Sequence, residues 1–140
     1  MIRRSGYNRG FTLQEILVVL IIVGILAALA LPNYTKMKDD ALNKVAKSTL
    51  ALVRAGEQIY RMEYGTFWAD APTSGLNTNL KLTIPTGADS KWEYKAVAGS
   101  SDIKSSFYGK ARRQDDTTKV WCINQSSEEA YPAGTAGCSW

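Results

Sequence analysis

An unbroken run of apolar residues near the N-terminus constrains the fold of this chain more than any other feature. From Ile16 to Leu31 every residue is apolar or glycine, and Pro32 closes the run. Counted from Phe11 to Leu31, the segment has 21 residues. As an α-helix it measures about 31 Å, which matches a bilayer core of about 30 Å. A chain that begins in this way needs lipid or other helices around its first helix.

The basic charge of the chain is concentrated ahead of this run. The 140 residues carry 17 Lys+Arg against 13 Asp+Glu, and Arg3, Arg4 and Arg9 lie within the first ten. Without them the balance is 14 against 13, or +1. Positive charge stays on the cytoplasmic side of an inserted helix, so these arginines indicate membrane topology rather than a polyanionic partner.

The composition argues against most enzyme and metal chemistry. The chain has no histidine, which is the commonest general base and metal ligand, and only two cysteines. Asp115 and Asp116 are adjacent but lack the spaced oxygen ligands of a calcium loop. We therefore expect no catalytic residues, no metal site and no cofactor.

Beyond Pro32 the pattern predicts that the helix continues into a soluble domain. Apolar residues recur at spacings near 3 and 4 as far as Met62, and Gly65 is expected to end the helix. Charged residues, Glu57 among them, are predicted on the opposite face. Pro32 is expected to kink or loosen the helix. The residues predicted to form the apolar face are Tyr34, Met37, Leu42, Val45, Leu52, Val53, Gly56, Ile59 and Tyr60.

The remainder predicts a sheet after a loop at 66–79. Four segments alternate between apolar and polar residues, as half-buried strands do: Leu80–Ile84, Trp92–Val97, Ser106–Ala111 and Val120–Ile123. Turn-like connections without helices between them favour an antiparallel meander of about four strands, which gives an α+β fold with the sheet packed on the helix. Alternation assigns Trp92, Tyr94, Trp121 and Ile123 to the core, whereas Trp68 and Trp140 are predicted to be more exposed.

Two further groups lie in this domain. Cys122 and Cys138 have 15 residues between them, and export of the domain would favour a disulfide over two reduced thiols. Lys110, Arg112 and Arg113, with Lys104 nearby, form a basic cluster that could contact phosphates. Because two aspartates follow at once, we interpret the cluster as a solvated turn, and a nucleic-acid partner has no other support.

Glu15 is the physical anomaly of the apolar segment. An uncompensated carboxylate inside a membrane span costs about 2.5–3.5 kcal/mol on insertion scales. At the membrane surface it would cost little and have no role. If the chain were cut after Gly10, however, Phe11 would carry a protonated amine, and the amine of a neighbouring copy could reach Glu15. Such an ion pair would fix the axial register of stacked copies.

At these residues the sequence resembles the type IV pilin family, which includes the pseudopilins of type II secretion. The family shares a short basic leader that ends in Gly, then Phe-Thr-Leu-x-Glu, then an apolar helix with a Leu-Pro-Asn-Tyr-like end. Here Gly10-Phe11-Thr12-Leu13-Gln14-Glu15 and Leu31-Pro32-Asn33-Tyr34 match, and Gly24 is the mid-helix glycine. The resemblance implies a leader at 1–10, an assembly helix at 11–32, its amphipathic continuation at 33–64 and a globular head at 65–140.

The resemblance also implies roles for single residues. A prepilin peptidase would cut between Gly10 and Phe11 and methylate the Phe11 amine, and Glu15 would neutralise a neighbour's amine. Gly24 and Pro32 would let the helix unwind and make the filament elastic, and Cys122–Cys138 would bound the C-terminal loop of the head.

The implied function is that of a structural subunit, not an enzyme. It would lie in the bacterial inner membrane as a single-pass protein, in contact with lipid and the pilus assembly machinery. It would then form a homopolymer, an extracellular type IV pilus that serves twitching motility, adhesion or DNA uptake.

Two alternatives remain at this stage. The chain could be a pseudopilin of type II secretion, although the late cysteine pair favours the pilus. It could also be a secreted or tethered binding module that does not polymerise. A rival interpretation of the N-terminus is a secretory signal peptide: Ala28-Leu29-Ala30 fits the A-x-A cleavage pattern, and cleavage there would release a soluble domain that begins at Leu31.

Overall fold

The structure is a computed structural model that describes residues 10–68, 71–87, 90–99, 104–135 and 137–140. Except for Gly10, the predicted leader lies outside these residues. The chain divides into two compact units, the first ending at Asp40 and the second running from Ala41 to Trp140. Helix α1 (Leu13–Tyr64) includes Pro32 within its range, so the proline does not end the helix.

In the second unit α1 ends as the sequence predicts. Gly65 has a φ of +73°, the left-handed conformation that glycine adopts without steric cost, and its N–H donates to the carbonyl of Arg61 at 2.8 Å. The chain then leaves the helix direction and starts the head.

The head contains a five-stranded antiparallel sheet in the order β1-β2-β3-β4-β5. Three strands are long and the two outer ones are short. The predicted α+β class, with a long N-terminal helix and an antiparallel sheet, is confirmed. The strands are β1 (Ala71–Pro72), β2 (Trp92–Ala98), β3 (Phe107–Arg113), β4 (Val120–Asn124) and β5 (Tyr131–Pro132).

The segment between α1 and β2 differs from the prediction. The loop predicted at 66–79 contains β1 and a short helix, α2 (Thr73–Asn79). The strand predicted at Leu80–Ile84 is wrong: the N–H and carbonyl of Ile84 bond to the side chain of Asn77, both at 2.8 Å, instead of to a neighbouring strand. Leu80 and Ile84 are buried, so their alternation reflects burial without a strand ladder.

The buried face of α1 also differs from the prediction. Val45, Leu52 and Ile59 are each more than half exposed, whereas Glu57, which was assigned to the polar face, is fully buried. Two apolar stripes run side by side along this part of the helix, and the sheet covers only one of them. The covered stripe consists of Ala46, Thr49, Leu50, Val53, Gly56 and Glu57.

The core between α1 and the sheet is aromatic and aliphatic. Trp92 and Tyr94 are each 2% exposed and confirm the predicted strand face. Trp121 is half-buried, and its Nε1–H donates to Asn43 Oδ1 at 3.3 Å. Trp68 and Trp140 are half-buried as well, because α1 and the outer face of the sheet, respectively, support their rings.

Candidate functional site

The first turn of α1 contains a reciprocal cap between Thr12 and Glu15. The backbone N–H and the hydroxyl of Thr12 both donate to Glu15 Oε2 at 3.0 Å, and the N–H of Glu15 donates to Thr12 Oγ1 at 3.3 Å. This is the capping-box arrangement, which satisfies two of the helix's unpaired N–H groups. The prediction for Glu15 rested on its charge alone, although the Thr-x-x-Glu spacing is the sequence signature of this cap.

The cap leaves part of the Glu15 carboxylate available. Within the described residues, Oε1 has no hydrogen-bond partner, and Phe11 beside it is 83% exposed. A carboxylate that is fixed through one oxygen and open at the other can accept a cation from outside the chain. The local geometry therefore has room for the predicted amine of a second copy.

The apolar run is uncovered in the first unit. Its large side chains are between 47% and 71% exposed, from Val18 to Leu29. The helix is long and apolar enough to cross a membrane by length and composition. An exposed apolar surface of this extent is typical of a segment that contacts a membrane or another protein.

A second uncovered stripe lies on α1 within the second unit. Val45, Leu52 and Ile59 follow one another at intervals of seven residues and are 53%, 59% and 53% exposed, and Met62 is 79% exposed. A seven-residue interval keeps the side chains on one face of a helix and is the spacing by which helices pack on one another. The prediction that Val45, Leu52 and Ile59 face the core is therefore wrong, because the sheet leaves all three exposed.

The two residues predicted to make the helix flexible lie in open surroundings. A Cβ added at Gly24 would meet nothing within 4 Å. Pro32 offers no N–H to the preceding turn, and its carbonyl accepts the hydroxyl of Thr35 at 3.0 Å. Both residues are exposed.

At the other end of the chain, Cys122 and Cys138 form a disulfide with their Cα atoms 5.6 Å apart. The bond attaches the C-terminal segment to the outer face of the sheet, which points away from α1. There the Trp140 ring lies 4.0 Å from Lys95 Nζ and 4.3 Å from Arg112 Cζ. Lys110 is 8% exposed beneath this segment, and its ammonium donates to the carbonyl of Ser139.

The basic cluster of the sequence is divided between the two faces of the sheet. Arg113 is 6% exposed on the inner face and forms a two-point ion pair with Asp115, at 2.5 and 3.2 Å. The hydrogen bond from Arg113 lowers the pKa of Asp115 below its ordinary value. Arg112 points outward and pairs with Glu93 at 2.8 Å. Strand alternation therefore separates neighbours in the sequence.

The two adjacent aspartates bind protein groups. Asp116 accepts the backbone N–H and hydroxyl of Thr118, and these bonds, with the nearby Lys119, lower its pKa. Among the described residues, no group of three or more Asp, Glu or Cys side chains could hold a metal ion.

The N-terminal segment that contains the Thr12–Glu15 cap also matches a known family. Residues 6–31 match the family described as the prokaryotic N-terminal methylation motif. The chain is 30% identical over 127 residues to the type IV major pilin protein PilE of Neisseria gonorrhoeae, covering 82% of this chain and 74% of that protein. It is 39% identical over 103 residues to the type IV major pilin protein PilA of Myxococcus xanthus, covering 74% of this chain and 44% of that protein.

A second group of relatives is named as core proteins of type II secretion systems. The chain is 33% identical over 84 residues to the type II secretion system core protein G of Pectobacterium carotovorum, covering 59% of this chain and 51% of that protein. It thus spans about half the length of this relative. The relatives named here are pilins and a secretion core protein rather than enzymes. No solved structure matches the chain.

Proposed function

The chain belongs to the type IV pilin family, and from that premise we propose that it is the structural subunit of a type IV pilus. The observation that carries the proposal is the uncovered apolar helix, whose large side chains are 47% to 71% exposed from Val18 to Leu29. Before assembly, lipid would cover them with the chain as a single-pass protein of the inner membrane. After assembly, the helices of other copies would do so at the core of a surface filament.

Processing precedes assembly in this proposal. A prepilin peptidase cuts between Gly10 and Phe11 and methylates the new amine. The open oxygen of Glu15 then accepts the amine of a neighbouring copy, and this contact sets the axial register. The exposed stripe at Val45, Leu52 and Ile59 adds apolar area to the same helix packing.

The relatives named as secretion core proteins support a second candidate, a pseudopilin of type II secretion. The extent of the matches favours the pilus. The pilin of Neisseria gonorrhoeae matches 82% of the chain, whereas the secretion protein of Pectobacterium carotovorum matches 59%. More of the chain is therefore similar to this pilin than to this secretion protein.

The first experiment is the intact mass and N-terminal sequence of the chain from its host. A start at N-methylated Phe11, together with sheared surface filaments that contain the chain, is expected. A start at Leu31 would contradict filament assembly, because the apolar helix would be lost. Loss of protein export on deletion, in cells that form no filaments with this chain, would favour the pseudopilin.

Two variants test whether the charge of Glu15 or its hydrogen bonds with Thr12 matter for assembly. Glu15→Gln keeps a side-chain oxygen for Thr12 but removes the charge, whereas Thr12→Ala keeps the charge and removes the hydroxyl. We expect Glu15→Gln to abolish filaments while the protein stays in the membrane, and Thr12→Ala to form them. Equal filament yields from Glu15→Gln and the wild type would show that the carboxylate charge has no part in assembly.

A further inference from the structure

The sheet of the head ends on each side in a strand of two residues, and both of these edge strands contain an exposed proline. Pro72 lies in β1, opposite Lys95 of β2, and Pro132 lies in β5, opposite Trp121 of β4. The edge of a sheet is where another chain can add a strand, because unpaired N–H and carbonyl groups line it. The two prolines therefore lie where the sheets of two copies would join.

At the β5 edge, the proline occupies a position whose backbone groups point away from the sheet. The N–H of Ala133 donates to the carbonyl of Val120 at 3.0 Å, so these two residues form a hydrogen-bonded pair. Such pairs alternate along an antiparallel ladder with pairs whose backbone groups point away from each other. Pro132, one residue earlier, is of the second kind, and proline has no N–H to present outward. Its carbonyl accepts the hydroxyl of Thr135 at 3.3 Å.

The β1 edge is closed in the same way by different residues. The N–H of Tyr94 donates to Thr73 Oγ1 at 3.1 Å, and the Thr73 hydroxyl donates to the Tyr94 carbonyl at 2.9 Å, so the backbone of Tyr94 faces this edge. The backbone of Lys95 then faces β3, and that of Pro72, opposite Lys95, points outward. Pro72 has no N–H, and because it is the N-cap residue of α2, its carbonyl accepts the first hydrogen bond of that helix.

We infer that both edges of the sheet are closed to strand addition, and that Pro72 and Pro132 keep a second copy of this chain from pairing with the head edge to edge. At each edge the outward position lacks a donor, and an internal hydrogen bond holds its acceptor. Two copies aligned antiparallel at β5 need residue 132 of each chain to exchange N–H and carbonyl bonds, which proline prevents. Neighbouring heads therefore meet through their side chains instead of a shared sheet.

The inference goes beyond the proposed function, because it concerns any setting in which copies are crowded, whether in a membrane or in a filament. The competing explanation is that an edge of two residues is too short to pair, whatever its sequence. The two explanations differ in what happens when the proline is replaced and the edge keeps its length.

Opening the β5 edge in the full chain tests the inference. Pro132→Val supplies the missing N–H, and Thr135→Ala releases the carbonyl. In sedimentation of the detergent-solubilised chain, the double variant should self-associate about tenfold more tightly than the wild type, which equals about 1.4 kcal/mol and fits two added backbone hydrogen bonds. Thr135→Ala alone should not, because the donor is still missing. Pro85→Val is the matched control, since Pro85 is exposed but lies outside the sheet.

Hydrogen exchange locates the contact, because α1 is itself apolar enough to associate in detergent. In the double variant, the new amide at position 132 should exchange more slowly as the protein concentration rises, whereas the amides of the apolar run should exchange as in the wild type. The Tm of each variant shows whether its head is folded. Pro72→Val provides an independent test at the other edge, where the new amide is at position 72.

Each outcome decides the inference. If the double variant is folded and associates no more than the wild type, the length of the edge closes it and the inference is wrong. If association increases while the amide at position 132 exchanges freely at every concentration, the copies meet elsewhere and the inference is also wrong. If the head of the double variant does not fold, Pro72→Val decides: concentration-dependent protection of its new amide supports the inference, and unchanged association overturns it. The pilus function is independent of these results, because sheared filaments and the N-terminal sequence test it separately.

Discussion

Glu57 in α1 accepts the backbone N–H of Trp68 through Oε2 at 2.7 Å, and its other oxygen is buried with no hydrogen-bond partner among the described residues. The bond attaches the segment after Gly65 to the last turns of the helix. Burial raises the pKa of Glu57 from the ordinary 4.5 to about 7, and the Trp68 hydrogen bond opposes this only in part. The Nε1 of Trp68 is also buried, with no hydrogen-bond partner in the part of the chain that the structure describes, so the carboxyl group lies in poorly solvated surroundings.

Glu57 should make the stability of the head depend on pH. The folded chain holds this proton more tightly than the unfolded chain, so its stabilising effect is complete below pH 4.5 and is lost as the pH rises to about 7. The difference between the ordinary and the folded pKa corresponds to about 3 kcal/mol in the free energy of unfolding. Glu57→Gln keeps an acceptor for Trp68 and has no charge, so it should be more stable than the wild type at pH 8 and similar at pH 5.

Urea denaturation of the detergent-solubilised chain at both pH values measures this difference. Glu63→Gln is the control, because Glu63 is an exposed glutamate in the same helix. If the free energy of unfolding depends on pH equally in the wild type and in Glu57→Gln, the carboxyl group of Glu57 is solvated and the prediction is wrong.

Gly109 should not tolerate a side chain. It faces α1 from β3, where an added Cβ would lie 3.0 Å from Ile123 Cγ2 and 3.4 Å from Val53 Cγ1. Gly109→Ala should therefore destabilise the head by about 1–3 kcal/mol, as overpacking does. Gly24→Ala, at a position with nothing within 4 Å, should leave head unfolding unchanged. Thermal unfolding followed by tryptophan fluorescence gives the Tm of each variant. A Tm of Gly109→Ala equal to that of the wild type would contradict the close packing of helix and sheet.

The sequence predicted the features that depend on local pattern. The apolar run, the end of α1 at Gly65 and the burial of Trp92 and Tyr94 follow from composition, a glycine stop and strand alternation. Helical periodicity could not decide which of two adjacent apolar stripes the sheet covers, so Val45 was assigned to the wrong side. Glu57 follows Leu50 by seven residues and Val53 by four, so periodicity places it on their face of the helix, but the charge of its side chain argued for the opposite face.

Features that depend on strand register, or on a distant segment that folds back onto the sheet, could not be predicted from the sequence. Lys95 and Lys110 meet only because β2 and β3 pair in one register. Trp140 reaches them only because the disulfide returns the C-terminal segment to the sheet. The alternation from Leu80 to Ile84 was misleading, because Asn77 satisfies the backbone groups that a strand would need.

Loss of the disulfide should release the C-terminal segment and expose Lys110. Cys122→Ser/Cys138→Ser removes a bond that closes a loop of 15 intervening residues, worth about 3 kcal/mol by chain entropy. Lysine acylation followed by mass spectrometry should find Lys110 protected in the wild type and modified in the variant. Lys81, which is exposed, should react equally in both. Protection of Lys110 in the variant would mean that the segment stays in place without the bond.

The extensibility of the filament should depend on Gly24 and Pro32. Pro32 gives no N–H to the carbonyl of Ala28, and glycine is about 1 kcal/mol less favourable than alanine inside a helix. Gly24→Ala/Pro32→Ala should therefore strengthen the helix and reduce the extension of single filaments at a given force in an optical trap. Ala28→Gly is the opposing control and should increase the extension. Equal force–extension curves for all three would show that elasticity arises outside this part of the helix.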